Sequence, residues 1–197
     1  MPGAERENRG SLRRWWMRIG GVHALAAILA GSTLGLMVGM LGGAWELVLG
    51  PLPTVLFVLL LLAFIVADAI GLPAKYLSRP RQVPMAWKHQ FPAPMSAALY
   101  GASLGFGVLS TAYFWSFHAL IAWMFFLASP PQAAMAGAAF GLGRAAPVLL
   151  ISLVRGPERW ERVVDSIGER LVPHAFVLRV ASGVSILLLA LGGWNRL

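Results

Sequence analysis

Residues 90–143 read QFPAPMSAALYGASLGFGVLSTAYFWSFHALIAWMFFLASPPQAAMAGAAFGLG and contain no Asp, Glu, Lys or Arg. As one helix, these 54 residues would be about 80 Å long, whereas the hydrocarbon core of a bilayer is about 30 Å thick. A charge-free run of this length predicts a chain that crosses a membrane and returns within it. We therefore expect an all-α fold, a polytopic bundle of transmembrane helices.

The composition of the whole chain agrees with a membrane domain. Hydrophobic residues make up 58%, charged residues 12%, and the mean hydropathy is +0.70. The net charge is +8, but Lys and Arg lie mostly between the apolar segments, where they favour cytoplasmic loops that face anionic lipid. We expect a single membrane domain whose partner is the lipid bilayer and not nucleic acid.

The residue types needed for several kinds of chemistry are missing. The chain has no cysteine, which excludes disulfides, thiolate metal sites and dithiol relays. No Ser/His, Asp/Asp or metal-ligand set occurs at helical spacing. His23 and His174 begin predicted spans, where a histidine is usually a solvated end residue. We therefore expect no enzyme, no metal and no cofactor.

Proline, glycine and charge divide the chain into five predicted spans. The spans are residues 20–42, 51–71, 94–115, 132–154 and 173–194. The first apolar segment is longer than the core of a signal peptide, so we expect it to be retained. The polar segments are a basic tail at residues 1–18, a basic loop at 72–92 and an amphipathic interfacial segment at 155–170.

The positive charges predict the orientation of the spans. The basic tail has five Lys and Arg residues, the basic loop four and the interfacial segment four, whereas the connections near Trp45 and at residues 116–129 have none. The positive-inside rule places all three basic segments in the cytoplasm. This predicts a multi-pass protein of a prokaryotic plasma (inner) membrane with a cytoplasmic N-terminus. Six spans are the alternative, if residues 117–128 cross alone.

Three blocks of sequence recur at an offset of 70 residues. Residues 31–35 (GSTLG) match 101–105 (GASLG), Trp45 matches Trp115, and residues 69–72 (AIGL) match 139–142 (AFGL). The matches predict an internal duplication, with two hairpins of the same orientation and a final helix. Such repeats are frequent in transporters, whose sites lie at the repeat interface. The alternative is an old duplication that only maintains the fold.

Glycines recur every four residues on three of the predicted spans. They are Gly31, Gly35, Gly39 and Gly43 on the first, Gly101 and Gly105 on the third, and Gly137 and Gly141 on the fourth. This spacing places them on one face of each helix, where the missing side chains let two backbones come close. We expect these faces to pack within one bundle. The alternative is a homodimer through the first helix.

Ionisable residues at membrane depth are the candidate functional residues. Asp68 lies near the inner end of the second span, where it either lines a pathway or pairs with Lys75 or Arg144. Arg144 lies near mid-bilayer in the predicted fourth span, or at the inner interface if the duplication holds. Glu46 and His118 lie in the predicted outer connections beside the matched tryptophans.

Residues 99–107 (LYGASLGFG) and 140–150 (FGLGRAAPVLL) resemble the membrane domains of the CcdA and DsbD thiol-disulfide transporters, within the LysE-like superfamily. The resemblance covers about sixty residues of the second half. It implies a transporter-like helical scaffold. The paired membrane cysteines of that family have no counterpart here, so no functional residue carries over.

Two functions agree with these features. The first is a small transporter or exporter of an ion or small polar solute, indicated by the duplication and the intramembrane charges. The second is a non-catalytic subunit or assembly factor of a larger membrane complex, indicated by the small size and the glycine faces.

Overall fold

The computed structural model describes residues 2–50, 54–72, 84, 86–107 and 115–153. Its helices are α1 Pro2–Leu49, α2 Thr54–Ala69, α3 Trp87–Gln90, α4 Ala93–Gly105, α5 Trp115–Phe126 and α6 Pro130–Leu153. The described residues contain no strand, so the all-α prediction is confirmed for them. The predicted span 173–194, with His174, and the interfacial segment 155–170 lie outside the described residues.

Helix α1 is longer than the span predicted within it. Its 48 residues extend for about 72 Å and include both the basic tail and the expected connection at Trp45. The helix ends where Gly50 adopts a φ of 79° and Pro51 follows, because proline cannot continue a helix. The glycines within it do not interrupt the helix, and four of them, Gly31, Gly35, Gly39 and Gly42, are covered by neighbouring helices.

Helix α2 ends at a glycine cap. Gly71 has a φ of 71°, which glycine adopts without steric cost. The N–H of Leu72 donates to the carbonyl of Ala67 at 2.9 Å, as in a Schellman motif. The cap ends the helix within three residues of Asp68 and thereby places that carboxylate in the last turn.

The basic loop leads into α4 through a short helix that is fastened to it. The Ser96 hydroxyl donates to the Trp87 carbonyl at 2.8 Å, and the Tyr100 hydroxyl donates to the Pro84 carbonyl at 2.9 Å. The Trp87 and Tyr100 rings meet edge to face at 5.7 Å. Lys88 remains outside these contacts, on the surface of the short helix.

The predicted third span, residues 94–115, is not one helix. Helix α4 ends at Gly105 because the chain turns at Gly107, which has a φ of 59°, and α5 begins only at Trp115. The 13 residues of α4 and the 12 of α5 are about 20 and 18 Å long. Neither helix alone matches the thickness of a bilayer core.

Helices α4 and α5 run in the same direction along α1. Gly101 of α4 lies against His23, and Gly105 lies against Ala27, one turn further along α1. Phe125, near the end of α5, lies against Gly42. The two short helices therefore follow successive parts of α1, and together they cover about the length of one crossing.

Helix α6 runs antiparallel to α1 and forms the closest contact in the bundle. Pro130, at its start, lies beside Gly39, Gly137 lies beside Gly31, and Gly141 lies beside Ala27. A Cβ atom added to Gly31, Gly137 or Gly141 would overlap a carbonyl oxygen of the opposite helix. The two backbones touch, as is typical of helices packed through small residues in lipid.

One glycine of the stripe predicted on α1 does not pack against another helix. Gly31, Gly35 and Gly39 face α6, but a Cβ added to Gly43 would meet nothing within 4 Å. Gly42 lies against the Phe125 carbonyl instead, because the contact at this level is with α5, on a different side of α1. Since α6 covers the stripe, a homodimer through this face would have to displace it.

The matched sequence blocks lie in different structural settings. The block at Gly31 lies in the middle of α1, whereas the block at Gly101 is the last turn of α4. Trp45 is inside α1, whereas Trp115 is the first residue of α5. The matched blocks therefore occupy different positions within their helices, although the glycines of both blocks pack against a neighbouring backbone.

Two helices of the described part are long and apolar enough to cross a membrane, over Arg14–Leu49 and Pro130–Leu150. Only 33% and 22% of their most apolar windows are buried, whereas the core helix of a soluble protein is mostly buried. Val55–Ala69 and Trp115–Phe126 are apolar but shorter. Exposed apolar side chains such as Leu47, 90% exposed, also favour membrane association.

Candidate functional site

The carboxylate of Asp68 binds the N-terminus of α5. Its Oδ1 accepts a hydrogen bond from the backbone N–H of Trp115 at 2.7 Å, and its Oδ2 accepts one from the N–H of Ser116 at 2.7 Å. The side chain is 4% exposed. The first N–H groups of a helix have no partner within the helix, and here an aspartate from another helix supplies it.

Trp115 binds back to the end of α2. Its indole Nε1–H donates to the Leu72 carbonyl at 2.8 Å, and its ring stacks on Phe64 at 5.7 Å with 20° between the planes. The end of α2 and the start of α5 therefore satisfy each other's free backbone groups. We call Asp68, Leu72, Trp115 and Ser116 the α2–α5 clasp.

The spacing of residues along α2 explains why the clasp forms. Phe57, Leu61, Phe64 and Asp68 follow at intervals of four, three and four residues, which places them on one helix face. Phe57 and Leu61 form a buried cluster with Ala119 of α5. Packing of this apolar face against α5 brings Asp68 to the level of the first residues of α5.

A row of aromatic contacts leads away from the clasp. The His118 ring lies 5.7 Å from Trp115 and 5.6 Å from Phe117. The Phe117 ring lies 5.0 Å from Phe140 on α6, and the Arg144 guanidinium lies over Phe140 at 5.8 Å from the ring centroid. The structure thus brings three sequence candidates, Asp68, His118 and Arg144, into one connected group.

Gly107 lets this group form. A Cβ added there would lie 2.7 Å from the Phe117 ring and 3.1 Å from the Phe140 ring. Its φ of 59° is also strained for residues with a side chain. The sequence pattern does not single out this glycine, because it lies outside the four-residue spacing.

Glu46, the remaining charged candidate, lies apart from the group. It is exposed near the C-terminal end of α1, next to Trp45, whose ring meets Phe125 at 6.0 Å. Phe125 is eight residues after Phe117 on α5, about 12 Å along the helix. The group and Glu46 therefore occupy different levels of the bundle.

Asp68 lies deep within the apolar length of the bundle. Phe125 of α5 contacts Gly42 of α1, and the first residue of α5 lies ten residues earlier, about 15 Å away. Ten residues before Gly42 on α1 is Ser32, the middle of the uncharged residues 19–45. The clasp is thus about halfway along this uncharged stretch and not at its inner end.

The sequence predicts Lys75 or Arg144 as the partner of Asp68 if the carboxylate forms an ion pair. In the structure, both carboxylate oxygens accept hydrogen bonds from backbone N–H groups. The carboxylate is held by Trp115 and Ser116, while Lys75 lies outside the described residues. Arg144 lies one turn beyond Phe140, and its neighbour Ala145 is fully buried against Ala24 of α1. The start of α5, which the sequence pattern does not mark as a helix end, is the partner of Asp68.

His23 is a buried residue and not a solvated helix end. It is 5% exposed, and its Nδ1 lies 3.1 Å from the Ala97 carbonyl. Its Nε2 has no hydrogen-bond partner among the described residues. Gly101 of α4 packs on the backbone of His23, and this close approach covers the ring.

The described residues contain no group of three or more His, Asp or Glu side chains that could hold a metal ion. The connected group combines a buried carboxylate at a helix N-terminus with a histidine and an arginine. Comparison with protein-family models, curated proteins and solved structures gave no match.

Proposed function

We propose that the chain is a small integral membrane protein of the prokaryotic inner membrane that moves an ion or a small polar solute across the bilayer. The observation that carries the proposal is the interrupted helix α4–α5, whose second half begins at a buried carboxylate. Transporters commonly use interrupted helices, with the ends of the half-helices near the transported species.

The directions of the helices support five crossings. Helix α1 runs outward, α2 runs back from the outer end to the level of the clasp, α4 and α5 together run outward, and α6 runs back, in agreement with the contacts that α4, α5 and α6 make with α1 and that α2 makes with α5. The fifth predicted crossing, residues 173–194, lies outside the described residues. Arg14, Arg18 and Lys88 then share the cytoplasmic end, with Trp45 and Glu46 at the other.

The backbone groups freed at the interruption need hydrogen-bond partners, and the clasp supplies them. Backbone groups freed at a break inside a membrane cost several kcal/mol each if they remain unpaired. Asp68 supplies acceptors to two freed N–H groups, and Trp115 supplies a donor to a freed carbonyl. With these groups paired, the break can persist inside a membrane, as the interrupted helices of transporters do.

Flux measurements on reconstituted protein test the proposal. Vesicles containing the purified protein are loaded with pyranine to report protons, or with fluorescent indicators for Na⁺, K⁺ or Cl⁻, and a gradient of each ion is applied in turn. We expect flux above protein-free vesicles for at least one ion, and a loss of roughly tenfold or more with Asp68→Ala, about the effect of 1.4 kcal/mol. Glu46→Ala is the matched control, since it removes an exposed carboxylate outside the connected group.

The outcome that contradicts the transporter proposal is equal flux in vesicles with and without protein for every ion tested. Flux that persists unchanged in Asp68→Ala, with helix content intact by circular dichroism, would remove the clasp from the pathway.

A second function is favoured by a specific observation. Both Asp68 oxygens and the α1 glycine stripe are already engaged within the chain, as expected of a scaffold. The second candidate function is therefore that of a non-catalytic subunit or assembly factor of a larger membrane complex. Migration of the protein on native gels after mild detergent extraction decides between the two, because a subunit migrates with its complex and a self-sufficient transporter migrates alone or as a small oligomer.

A further inference from the structure

We propose that the end of the bundle where α1 and α4 begin binds the headgroups of anionic phospholipids. The surface consists of basic and aromatic side chains that the fold brings to one end, and we call it the basic rim: Arg14, Trp15, Trp16, Arg18, Trp87 and Lys88. The inference rests on the membrane location of the chain and not on transport, so it applies equally to a transporter and to a subunit of a complex.

The packing of α4 on α1 sets the level of the rim. Gly101 of α4 lies against His23 of α1, and the two helices run in the same direction. Ser96 precedes Gly101 by five residues, and Arg18 precedes His23 by five, which is about 8 Å along either helix. Ser96 and Arg18 therefore lie at about the same level of the bundle.

The short helix α3 is held at this level by its contacts with α4. The Ser96 hydroxyl donates to the Trp87 carbonyl at 2.8 Å, and the Trp87 ring meets the Tyr100 ring edge to face at 5.7 Å. Lys88 follows Trp87 and is exposed. The fold thereby brings Lys88 near the level of Arg18, although the two residues are far apart in the sequence.

The positive charges of the rim are not neutralised by the described part of the chain. Arg14, Arg18 and Lys88 are exposed and make no hydrogen bond or ion pair with another described residue. The first acidic residues after Arg14 are Glu46 and Asp68. Glu46 lies 28 residues beyond Arg18 on α1, about 42 Å away, and both oxygens of Asp68 are bound to α5.

The tail that precedes the rim does not supply the missing counter-charge. It contains Glu5 and Glu7, but also arginines at positions 6, 9 and 13, so its own net charge is positive. The counter-charges of the rim must therefore come from another molecule.

The tryptophans of the rim favour a lipid over a soluble polyanion. Trp15 and Trp16 are 45% and 48% exposed, and their rings meet edge to face at 5.1 Å. They lie between Arg14 and Arg18, directly before the uncharged residues 19–45. Indole rings are enriched at the headgroup level of a bilayer. At that level the guanidinium groups meet lipid phosphates, which arginine binds with two parallel hydrogen bonds.

The opposite end of α1 has no comparable surface. Leu47 and Val48 are 90% and 80% exposed, and Glu46 is the only charged residue from position 19 to position 49. We therefore expect the preference for anionic headgroups to come from one end of the bundle.

The lipid preference of the whole protein tests the inference. The full-length protein is reconstituted in phosphatidylcholine vesicles that contain a trace of spin-labelled phosphatidylglycerol or spin-labelled phosphatidylcholine. Electron paramagnetic resonance measures the fraction of each label that is immobilised at the protein surface. We expect phosphatidylglycerol to associate roughly fivefold more strongly, about the effect of one charge pair at a bilayer surface, and the preference to fall as the salt concentration rises.

Variants with the same loss of charge show whether the rim is the site. Arg14→Gln combined with Arg18→Gln should reduce the preference to less than about twofold, and Lys88→Gln alone should reduce it to about twofold to threefold. The matched control, Arg6→Gln combined with Arg9→Gln, removes two positive charges from the tail before the rim and should keep most of the preference. Circular dichroism checks that the helix content of each variant is unchanged.

Three results would overturn the inference. The first is equal association of the two lipids with the unmodified protein. The second is an equal loss of preference in the rim variant and the tail control, which would mean a diffuse effect of charge. The third is displacement of phosphatidylglycerol by inorganic phosphate beyond the effect of sodium chloride at the same ionic strength, which would mean a site for free phosphate. The ion flux proposed above is measured separately, so its absence leaves the lipid preference standing.

Discussion

Gly31 and Gly137 face each other so closely that a Cβ added to either would overlap the carbonyl oxygen of the other. The relation is reciprocal, so the two backbones are in direct contact where α1 crosses α6. At this separation Cα–H groups can donate weak hydrogen bonds to the opposite carbonyls. Van der Waals contact between backbones takes the place of interlocked side chains.

Adding one methyl group at this contact should destabilise the bundle. We expect Gly31→Ala to lower the free energy of unfolding by about 2–3 kcal/mol, because the helices must separate to admit it. The matched change Gly43→Ala meets nothing within 4 Å and should raise the free energy by about 0.5 kcal/mol, since alanine favours the helix. Unfolding in mixed dodecyl maltoside and dodecyl sulfate micelles, followed by circular dichroism, measures both. Equal effects of the two substitutions would contradict the close contact.

Loss of the clasp carboxylate should also be costly. Asp68→Ala leaves the N–H groups of Trp115 and Ser116 without their acceptors, and we expect the free energy of unfolding to fall by at least about 2 kcal/mol. Glu46→Ala, at an exposed site, should change it by less than about 0.5 kcal/mol. The same micelle titration compares the two variants. A change below about 1 kcal/mol for Asp68→Ala, less than one typical helix cap, would mean that the clasp contributes little to the fold.

The buried His23 gives a prediction of the opposite sign. The Ala97 carbonyl, which accepts from Nδ1, is also placed within α4 to accept an intrahelical bond, and Nε2 has no described partner. His23→Leu removes an unpaired polar nitrogen without leaving another group unpaired, so it should be neutral or stabilising by up to about 1 kcal/mol. Thermal unfolding of the two proteins in the same detergent measures the difference. Marked destabilisation would show that Nε2 has a partner that the described contacts do not include.

The direction of α5 can be tested by chemical labelling. The chain has no cysteine, so Lys88→Cys, Leu47→Cys and Ser129→Cys can be labelled one at a time with a membrane-impermeant maleimide in intact cells. Because α4 and α5 run the same way along α1, we expect Leu47 and Ser129 to be labelled from outside and Lys88 only after lysis. Labelling of Ser129 only after lysis would mean that α5 crosses on its own and that the six-span alternative applies.

Several local features of the fold could be read from residue patterns. The break at Ser129 and Pro130 precedes α6, and the glycine spacing at Gly137 and Gly141 marks the face of α6 that meets α1. These features are local: proline limits the backbone, and four-residue spacing produces one helix face. The interruption after Gly105 could not be predicted, because the residues around it are as apolar as those of a continuous helix.

The residues of the candidate site also divide into those that the sequence marks and those that only the structure identifies. Asp68 and Arg144 stand out in the sequence because charges are rare in apolar segments, and that signal needs no structure. The partner of Asp68 does not stand out, since a backbone N–H belongs to every residue except proline. Trp115 stands out in the sequence only for its match with Trp45, yet its function in the fold is to begin α5 and to bind the Leu72 carbonyl.

The sequence by itself determined that the chain is helical and apolar, which of its residues carry charge, and where glycine permits close packing, because these follow from composition and periodicity along one helix. Only the tertiary structure decided that the predicted third span is helical only as far as Gly105 before the chain turns, and that the predicted outer connection holds the helix α5. It also decided that Asp68 joins α2 to α5, and that Gly42 and not Gly43 is packed. These depend on which backbone groups lack a partner and on which helices lie side by side. Residues 47 positions apart, such as Asp68 and Trp115, meet only after the chain has folded.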